Sequence, residues 1–453
     1  MTIEALATAP DLLALHAAHP ARYPFLLESA ASGTPQARFN ILFGFPRETI
    51  ALDPRHCLGS NDNGNTLQRV DEFLPALDAA WQKEQLDPQQ GSLPFLGGWF
   101  VYLGYELAGE IEPKLALDLP AELPVAAATR IPVAIIIEHA SGKAWLVGEP
   151  GCDDELATAR ADIAAQTGFT PQALQVTDLA EEDPGIYTRA VERAIRYIID
   201  GDVFQANLSR RWTAALPVAT RHADVYAALR AANPGPFNGL ASWGGKAVIS
   251  SSPERLAEVR NGVVQTRPIA GTRPRGKDAN EDAELTRELI AHPKERAEHV
   301  MLIDLERNDM GRVAVPGSVR VDEMMVLETY AHVHHIVSNI RADIRPGTTP
   351  GDVMAAVFPG GTITGCPKVR CMEIISELEA SPRSAYTGSM GYLNRDGSFD
   401  LNILIRSMIR DGENLSFRAG AGIVADSVPQ RELEETRAKA RGLLVALGYD
   451  GEG

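Results

Sequence analysis

Cysteine is scarce in this chain. Its four residues, Cys57, Cys152, Cys366 and Cys371, show no Cys-x-x-Cys spacing, so no disulfide framework is expected. Free thiols in a reducing compartment are expected instead. No apolar run approaches the ~18 residues of a membrane span. The N-terminus carries Glu4 and Asp11 and no early lysine, which argues against a secretion signal and makes a soluble, cytoplasmic protein the expectation. Positive charge is in deficit: 43 lysines and arginines face 60 aspartates and glutamates, for a net charge of -17. That field repels nucleic acid and anionic membranes, so neither is an expected partner. It would repel a dianionic substrate as well, unless a metal ion or an arginine corrects it locally. A Gly-x-Cys-x-Gly turn is also missing, and Cys366 is followed by Pro367. The chain therefore offers no glutaminase nucleophile, and nitrogen taken from glutamine would have to be released by another chain.

At 453 residues the chain exceeds the ~100–200 residues of a typical domain, so one large domain or two intimate ones are expected. Residues 1–150 mix short strand-like runs, such as Arg38–Phe45 and Ile131–Glu138, with turns. Residues 151–183 are alanine-rich and acidic and read as a helix plus linker. Residues 184–449 form the third region. There Tyr187–Asp200 has helical periodicity, with Val191, Ile195 and Ile198 on one face and Gly201 as its stop. Tyr392–Ile409 reads as hairpin-like, with Arg406 in a mostly apolar strand. The last helix begins near Ser427, where Ser427 and Gln430 have capping-box spacing and Pro429 follows in the first turn.

A Glu-x-x-Glu pair occurs twice, each time just after a proline: Glu295 with Glu298, and Glu432 with Glu435. Spacing i,i+3 places both carboxylates of a pair on one helical face. Solvated acid at a helix start has this pattern, and so does half of an oxygen-rich clamp for Mg²⁺. Two glycine-rich segments, Phe358–Lys368 and Ala419–Gly422, can aim backbone N–H groups at an anion or serve as tight turns. A guanidinium in an apolar strand, Arg406, needs an anionic partner, either a structural carboxylate or a substrate one. His332, His334 and His335 admit a His-x-His metal site or a single acid/base histidine.

Four ordered motifs resemble the chorismate-utilising enzymes. They are Ser252-Pro253-Glu254-Arg255, Arg267-Pro268-Ile269-Ala270-Gly271-Thr272, Asp304-Leu305-Glu306-Arg307-Asn308-Asp309 and the Thr362–Lys368 turn. The resemblance spans about residues 185–447 and continues more weakly over the N-terminal third. It implies an α+β fold, with two sheets sandwiching a core, helices outside and the active site in a cleft. It also implies Mg²⁺ as cofactor, held by Glu295, Glu298, Glu432 and Glu435, and chorismate as substrate. Arg406, Tyr386 and the backbone of Gly422 match residues that grip substrate carboxylates, with Gly361, Thr362 and Lys368 lining the substrate pocket. Glu254, Ala270 and Thr272 fall at catalytic positions, and His335 matches the histidine beside the departing hydroxyl.

Within the family, members that add water resemble one another in carrying a lysine base where this chain has Gln205, in Val203-Phe204-Gln205-Ala206-Asn207. A neutral amide is a poor base, so ammonia is the expected nucleophile and a glutamine amidotransferase subunit the expected partner. Two products remain. Phe358-Pro359-Gly360-Gly361, Arg38-Phe39-Asn40-Ile41 and the short chain resemble aminodeoxychorismate synthase component I. Ala270, where most such enzymes have a lysine that attacks the ring, and Leu26-Leu27-Glu28-Ser29, similar to a tryptophan-binding segment, resemble anthranilate synthase component I. The segments together favour the first. A non-catalytic tryptophan- or partner-binding relative is disfavoured by the retained acidic pairs, Arg406 and His335.

Overall fold

The computed structural model describes residues 1–30, 38–59, 66–87, 91–291, 293–329, 333–379 and 381–449. The side chains of Ala270, Thr272 and Glu295, and His332 altogether, lie outside the described set. The fold is α+β with two large, almost wholly antiparallel sheets, as expected. Within both sheets, alternate residues on a strand face opposite sides, and in the inner strands both sides are buried. In Gly98–Leu103, Trp99, Val101 and Leu103 enter one apolar cluster while Phe100 and Tyr102 enter another. In Phe39–Gly44 of the other sheet, Leu42 faces away from Ile41 and Phe43. Phe25 of that sheet stacks on Phe100 across the middle layer, with ring centroids 4.1 Å apart. Runs of apolar residues without clean alternation follow from this double burial.

Helices cover the outer faces. Leu12–Ala18, His222–Ala232 and Pro429–Ala446 bury Leu12, Leu229 and Leu443 against one sheet. Phe73–Glu84, Pro293–Gly311 and Pro350–Val357 bury Leu77, Ile303 and Met354 against the other. Residues before 150 and after 184 both contribute strands to each sheet. The first seam pairs Phe25–Glu28 with Phe237–Trp243, and the second pairs Gly98–Leu103 with Ser389–Asn394. Between the two regions lie the helix Asp153–Ala165 and the strand Thr177–Glu181. All four cysteines are free. Among the described residues no helix is long and apolar enough to cross a membrane.

Three local expectations are corrected. The hairpin expected over Tyr392–Ile409 closes at Asn402, because Phe399–Asn402 belongs to one sheet and Ser407–Asp411 to the other. Arg406 therefore lies in the crossing between sheets, with φ +53°, and not in a strand. The last helix is capped by Val428, without a side-chain bond, while the Ser427 hydroxyl accepts the N–H of Val424. The Ala419–Gly422 glycines form no loop, since the strand Asn414–Ile423 runs through them. They are glycines because neighbours press close. A Cβ on Gly422 would sit 2.5 Å from Gln205 Nε2, and one on Gly420 2.7 Å from the Tyr386 hydroxyl.

Candidate active site

Two places where the chain changes sheet lie side by side, and they build the site. Pro253-Glu254 carries the chain from strand Lys246–Ser252 into strand Arg255–Arg260. Ile403–Arg406 carries it back. The crossings are tied by Ile403 N–H to Glu254 O at 3.0 Å, Ser251 N–H to Arg406 O at 3.1 Å and the Ser252 hydroxyl to Ile403 O at 2.5 Å. A sheet crossing frees side chains from the strand alternation and aims them along the gap between layers. Glu254 and Arg406 thus meet across 152 residues of sequence.

Arg406 is the centre of charge. It is half-buried, and desolvation lowers its pKa. The Tyr386, Glu254 and Glu435 side chains oppose that shift. Yet no hydrogen bond from the guanidinium to another described residue is formed. A desolvated cation without a paired anion is costly, so this one is poised for an anionic ligand with fork geometry. Tyr386 is buried beside it, held in place by a second network. Glu379, on the helix Lys368–Glu379, pairs with Arg383 at 2.6 Å and Arg418 at 3.0 Å. Arg383 also donates to Asn207 O at 2.7 Å.

Glu254 is buried, and burial pushes its pKa up to about 7. The Thr362 hydroxyl lies near enough to oppose that rise, although Thr362 Oγ1 and Glu254 Oε1 complete no hydrogen bond in the protein. The carboxyl is thus half-protonated near neutral pH and able to donate a proton. A carboxyl whose folded pKa exceeds its unfolded value adds stability that is full below about pH 4.5 and is lost as pH rises through about 7. Glu254→Gln should therefore melt close to the wild type at pH 4.5 and above it at pH 8. A thermal melt series across that range checks this, and a wild type more stable than the variant at pH 8 contradicts it.

His335 lies within electrostatic reach of Arg406. Burial first, and the Arg406 charge second, bring its pKa down to about 4, while a backbone hydrogen bond to Gly271 works the other way. It is neutral near pH 7, so Glu254 is better matched than His335 to donate a proton there. His334, its neighbour, is buried with ring contacts of 2.9 Å to Asp282 Oδ1 and 2.9 Å to Thr329 Oγ1. Both ring nitrogens are engaged, so His334 takes no part in a His-x-His metal site. The Ala270 and Thr272 backbones pair with Ile336 and His335 in the strand alongside.

The doubled Glu-x-x-Glu falls on helix starts, as its spacing predicts: Glu298 lies on Pro293–Gly311, Glu432 and Glu435 on Pro429–Ala446. Both Glu432 and Glu435 act electrostatically on Tyr187, and Glu435 acts on Arg406. Among the described residues no three acidic, histidine or cysteine side chains are gathered closely enough to hold a metal. Glu435 Oε1 is instead 2.7 Å from Lys439 Nζ, which also donates to Gly420 O at 2.9 Å. Carboxylate oxygen is the donor type that Mg²⁺ takes, but among the described residues these carboxylates are not gathered into one site.

Gln205 and Asn207 lie on the strand Gln205–Ala215, where Asn207 pairs with Gly422 and Gln205 with Cys366, and their side chains approach Gly420 and Gly422. Their side-chain oxygens are buried and unpartnered. Lys368, expected in the substrate pocket, pairs with Asp309 at 2.5 Å. Glu306, Asp309, Lys439 and the Glu379–Arg383–Arg418 network were not singled out from the sequence. Only the Asp304–Asp309 motif pointed toward any of them.

Beside the two sheet crossings, a guanidinium with no ion pair among the described residues, a carboxyl of raised pKa and two neutral amides suit a small anionic substrate. The chain belongs to the chorismate binding enzyme family, whose model matches residues 24–445. It is 40% identical to anthranilate synthase component 1 of Thermus thermophilus, over 96% of this chain and 94% of that one. It is 38% identical to aminodeoxychorismate synthase component 1 of Bacillus subtilis, over 95% and 93%. Among solved structures, anthranilate synthase component I from Streptococcus pneumoniae superposes with a TM-score of 0.79 at 31% identity, covering 91% of this chain and 93% of that one. The chain is a chorismate-utilising synthase component I.

Proposed function

We propose that the chain is component I of an aminodeoxychorismate synthase. It would convert chorismate and ammonia, supplied by a separate glutamine amidotransferase subunit, to 4-amino-4-deoxychorismate for 4-aminobenzoate and folate synthesis. The observation that carries the substrate class is Arg406, a half-buried, partly desolvated cation with no ion pair among the described residues. It receives a ring or side-chain carboxylate together with the Tyr386 hydroxyl. The nucleophile follows from Gln205, an amide pressed against Gly422, which has no basicity with which to activate water. The choice of product rests on Phe358–Gly361, Arg38–Ile41 and the short chain.

Glu298, Glu432 and Glu435, with Glu295, would hold Mg²⁺, which neutralises the ring carboxylate and polarises the conjugated diene. The protein's own part is proton handling. Ammonia forms a bond to carbon 2, the diene electrons shift, and the C4–O bond breaks. Glu254 gives its proton to the departing hydroxyl, which leaves as water, and the new ammonium returns a proton. This yields 2-amino-2-deoxyisochorismate. Ala270 has no nucleophile, so no covalent ring adduct forms on it. A second ammonia enters at carbon 4 and expels the first, which leaves as ammonia after taking up the proton released at the new amine.

Chorismate, Mg²⁺ and an ammonium salt at high pH are expected to give product with the purified chain alone, while glutamine gives none until the glutaminase subunit is added. The product should become 4-aminobenzoate only after a lyase is supplied, and rapid quenching should capture the free 2-amino intermediate. Direct anthranilate fluorescence would establish the second reading, anthranilate synthase component I. That reading is favoured by Ala270 and by a cavity of about 440 Å³ lined in part by Leu27, Glu28, Ser29 and Asn238, which would take tryptophan. Glutamine-driven turnover by the chain alone, or no turnover with ammonium, would refute the proposal.

A further inference from the structure

The proton donor and the anion grip leave one buried acid unused. Glu306 is 3% exposed, on the helix Pro293–Gly311. Its Oε1 accepts the N–H of Gly361 at 3.2 Å, and its Oε2 is buried without any partner. The approach is enforced, because a Cβ on Gly361 would sit 2.5 Å from the Leu305 side chain and 3.2 Å from Glu306 Oε1. Burial, then the nearby Asp309 carboxylate, raises its pKa. Glu306 also feels the charges of Lys368 and Glu254. Next to Gly361, Thr362 leaves its hydroxyl oxygen unpartnered, as Glu254 does its Oε1.

Three unpartnered oxygens thus gather around the Gly361 turn: Glu306 Oε2, Glu254 Oε1 and Thr362 Oγ1. Leaving such acceptors buried and unmade is costly, which a fold without a use for them would avoid. They match a small ligand rich in N–H donors. Leu305, Asp309 and Lys368 line a groove of about 790 Å³ that also includes Phe204, Met301 and Phe358. Phe204 is exposed at the surface. Glu306 is next in sequence to Leu305, one of the groove's lining residues.

We propose that Glu306 is the ammonia-receiving group, its unpartnered oxygen accepting an N–H of the nucleophile and later the proton that the new C–N bond releases. This inference rests on the amine-adding reading above. One ammonia N–H donates to Glu306 and others to Glu254 and Thr362, which leaves the nitrogen lone pair directed at the ring. After the C–N bond forms, the C–NH₃⁺ group gives one proton to the Glu306 carboxylate, and the neutral amine remains. The proton that converts the departing hydroxyl to water still comes from Glu254, and the one that Glu306 takes up restores the Glu254 acid, so no proton is gained or lost over the step.

The test is steady-state kinetics of chorismate consumption by the full chain with Mg²⁺ and ammonium chloride at pH 8.5, for wild type, Glu306→Gln and Glu306→Met. The methionine variant replaces a buried, half-satisfied acid by an apolar side chain of similar length, so it should fold. The expected result is a KM for ammonia raised about ten- to a hundredfold in Glu306→Met, with the KM for chorismate within about twofold of wild type. Glu306→Gln keeps an acceptor but cannot take the proton, so its KM for ammonia rises less and its kcat falls. An ammonia KM unchanged in both variants would overturn the inference, because the oxygens would then hold only buried water. A chorismate KM that rises in parallel would overturn it too, as would failure of both variants to fold. Ammonium-dependent turnover by the wild type tests the underlying reading separately. If it is absent, that reading falls and this inference with it. If it is present and the variants behave as wild type, only this inference falls.

Discussion

Arg406→Gln is expected to lose chorismate turnover while melting no lower than the wild type. The two halves of the result come from different features. The guanidinium is partly desolvated, and no described residue forms an ion pair with it, so its removal takes away a cost, while the one buried carboxyl it acts on, Glu254, already has a raised pKa and can stay protonated. The backbone at this position has φ +53° with arginine already in place, so another L residue inherits that conformation unchanged. The substrate carboxylate, in contrast, loses its charged partner. Losing one member of a desolvated, hydrogen-bonded charge pair costs about 2–5 kcal/mol, or roughly thirty- to several-thousandfold in kcat/KM. Kinetics beside a thermal melt check both halves. A variant of near-normal kcat/KM would remove Arg406 from the site, and a large drop in Tm would make it structural.

Glu298→Gln and Glu435→Gln are each expected to lower turnover at least about a thousandfold without unfolding the protein, since Mg²⁺ supplies several kcal/mol of charge stabilisation in such reactions. In the structure Glu435 faces Lys439 on an exposed helical turn, and a pair of that kind adds only about 0.3–0.5 kcal/mol to stability. The loss would therefore lie in the site and not in the fold. Magnesium titration by calorimetry should show weakened binding in both variants. Full activity in either one, or wild-type turnover in excess chelator, would remove these carboxylates from the reaction.

The sequence made the periodic parts legible. The helix expected over Tyr187–Asp200 is Pro184–Ile199, and the acid pairs expected at helix starts lie there. Strands such as Phe39–Gly44 fell within the runs proposed for them. What the sequence hid was the change of sheet. Ile403–Ile409 is apolar enough to look like one strand, because both of the sheets it touches bury both faces, and so the turn at Arg406 left no polar signature. The glycines of Ala419–Gly422 suggested a loop for a similar reason: close side chains across a strand and a bend in the backbone both demand the absence of Cβ. Ser427 shows the limit of local rules, since its hydroxyl had two backbone N–H groups within reach and took the one behind it. Glu306 was visible only as a letter in a motif, because an orphaned oxygen is a property of what surrounds it in three dimensions.

The two seams, Phe25–Glu28 against Phe237–Trp243 and Gly98–Leu103 against Ser389–Asn394, bear on how the protein is made. When the ribosome has finished the first 150 residues, each sheet has one block of strands and a raw edge. From residue 150 the first edge waits about 90 residues for its mate, and the second about 240. Unpaired edges of apolar strands invite pairing with the wrong chain, and pairings so distant in sequence form late. A growing chain of this design needs shelter during synthesis. By the same logic, two separately expressed pieces divided between residues 166 and 176 carry complementary edges, and the interface that would rejoin them is already written in hydrogen bonds.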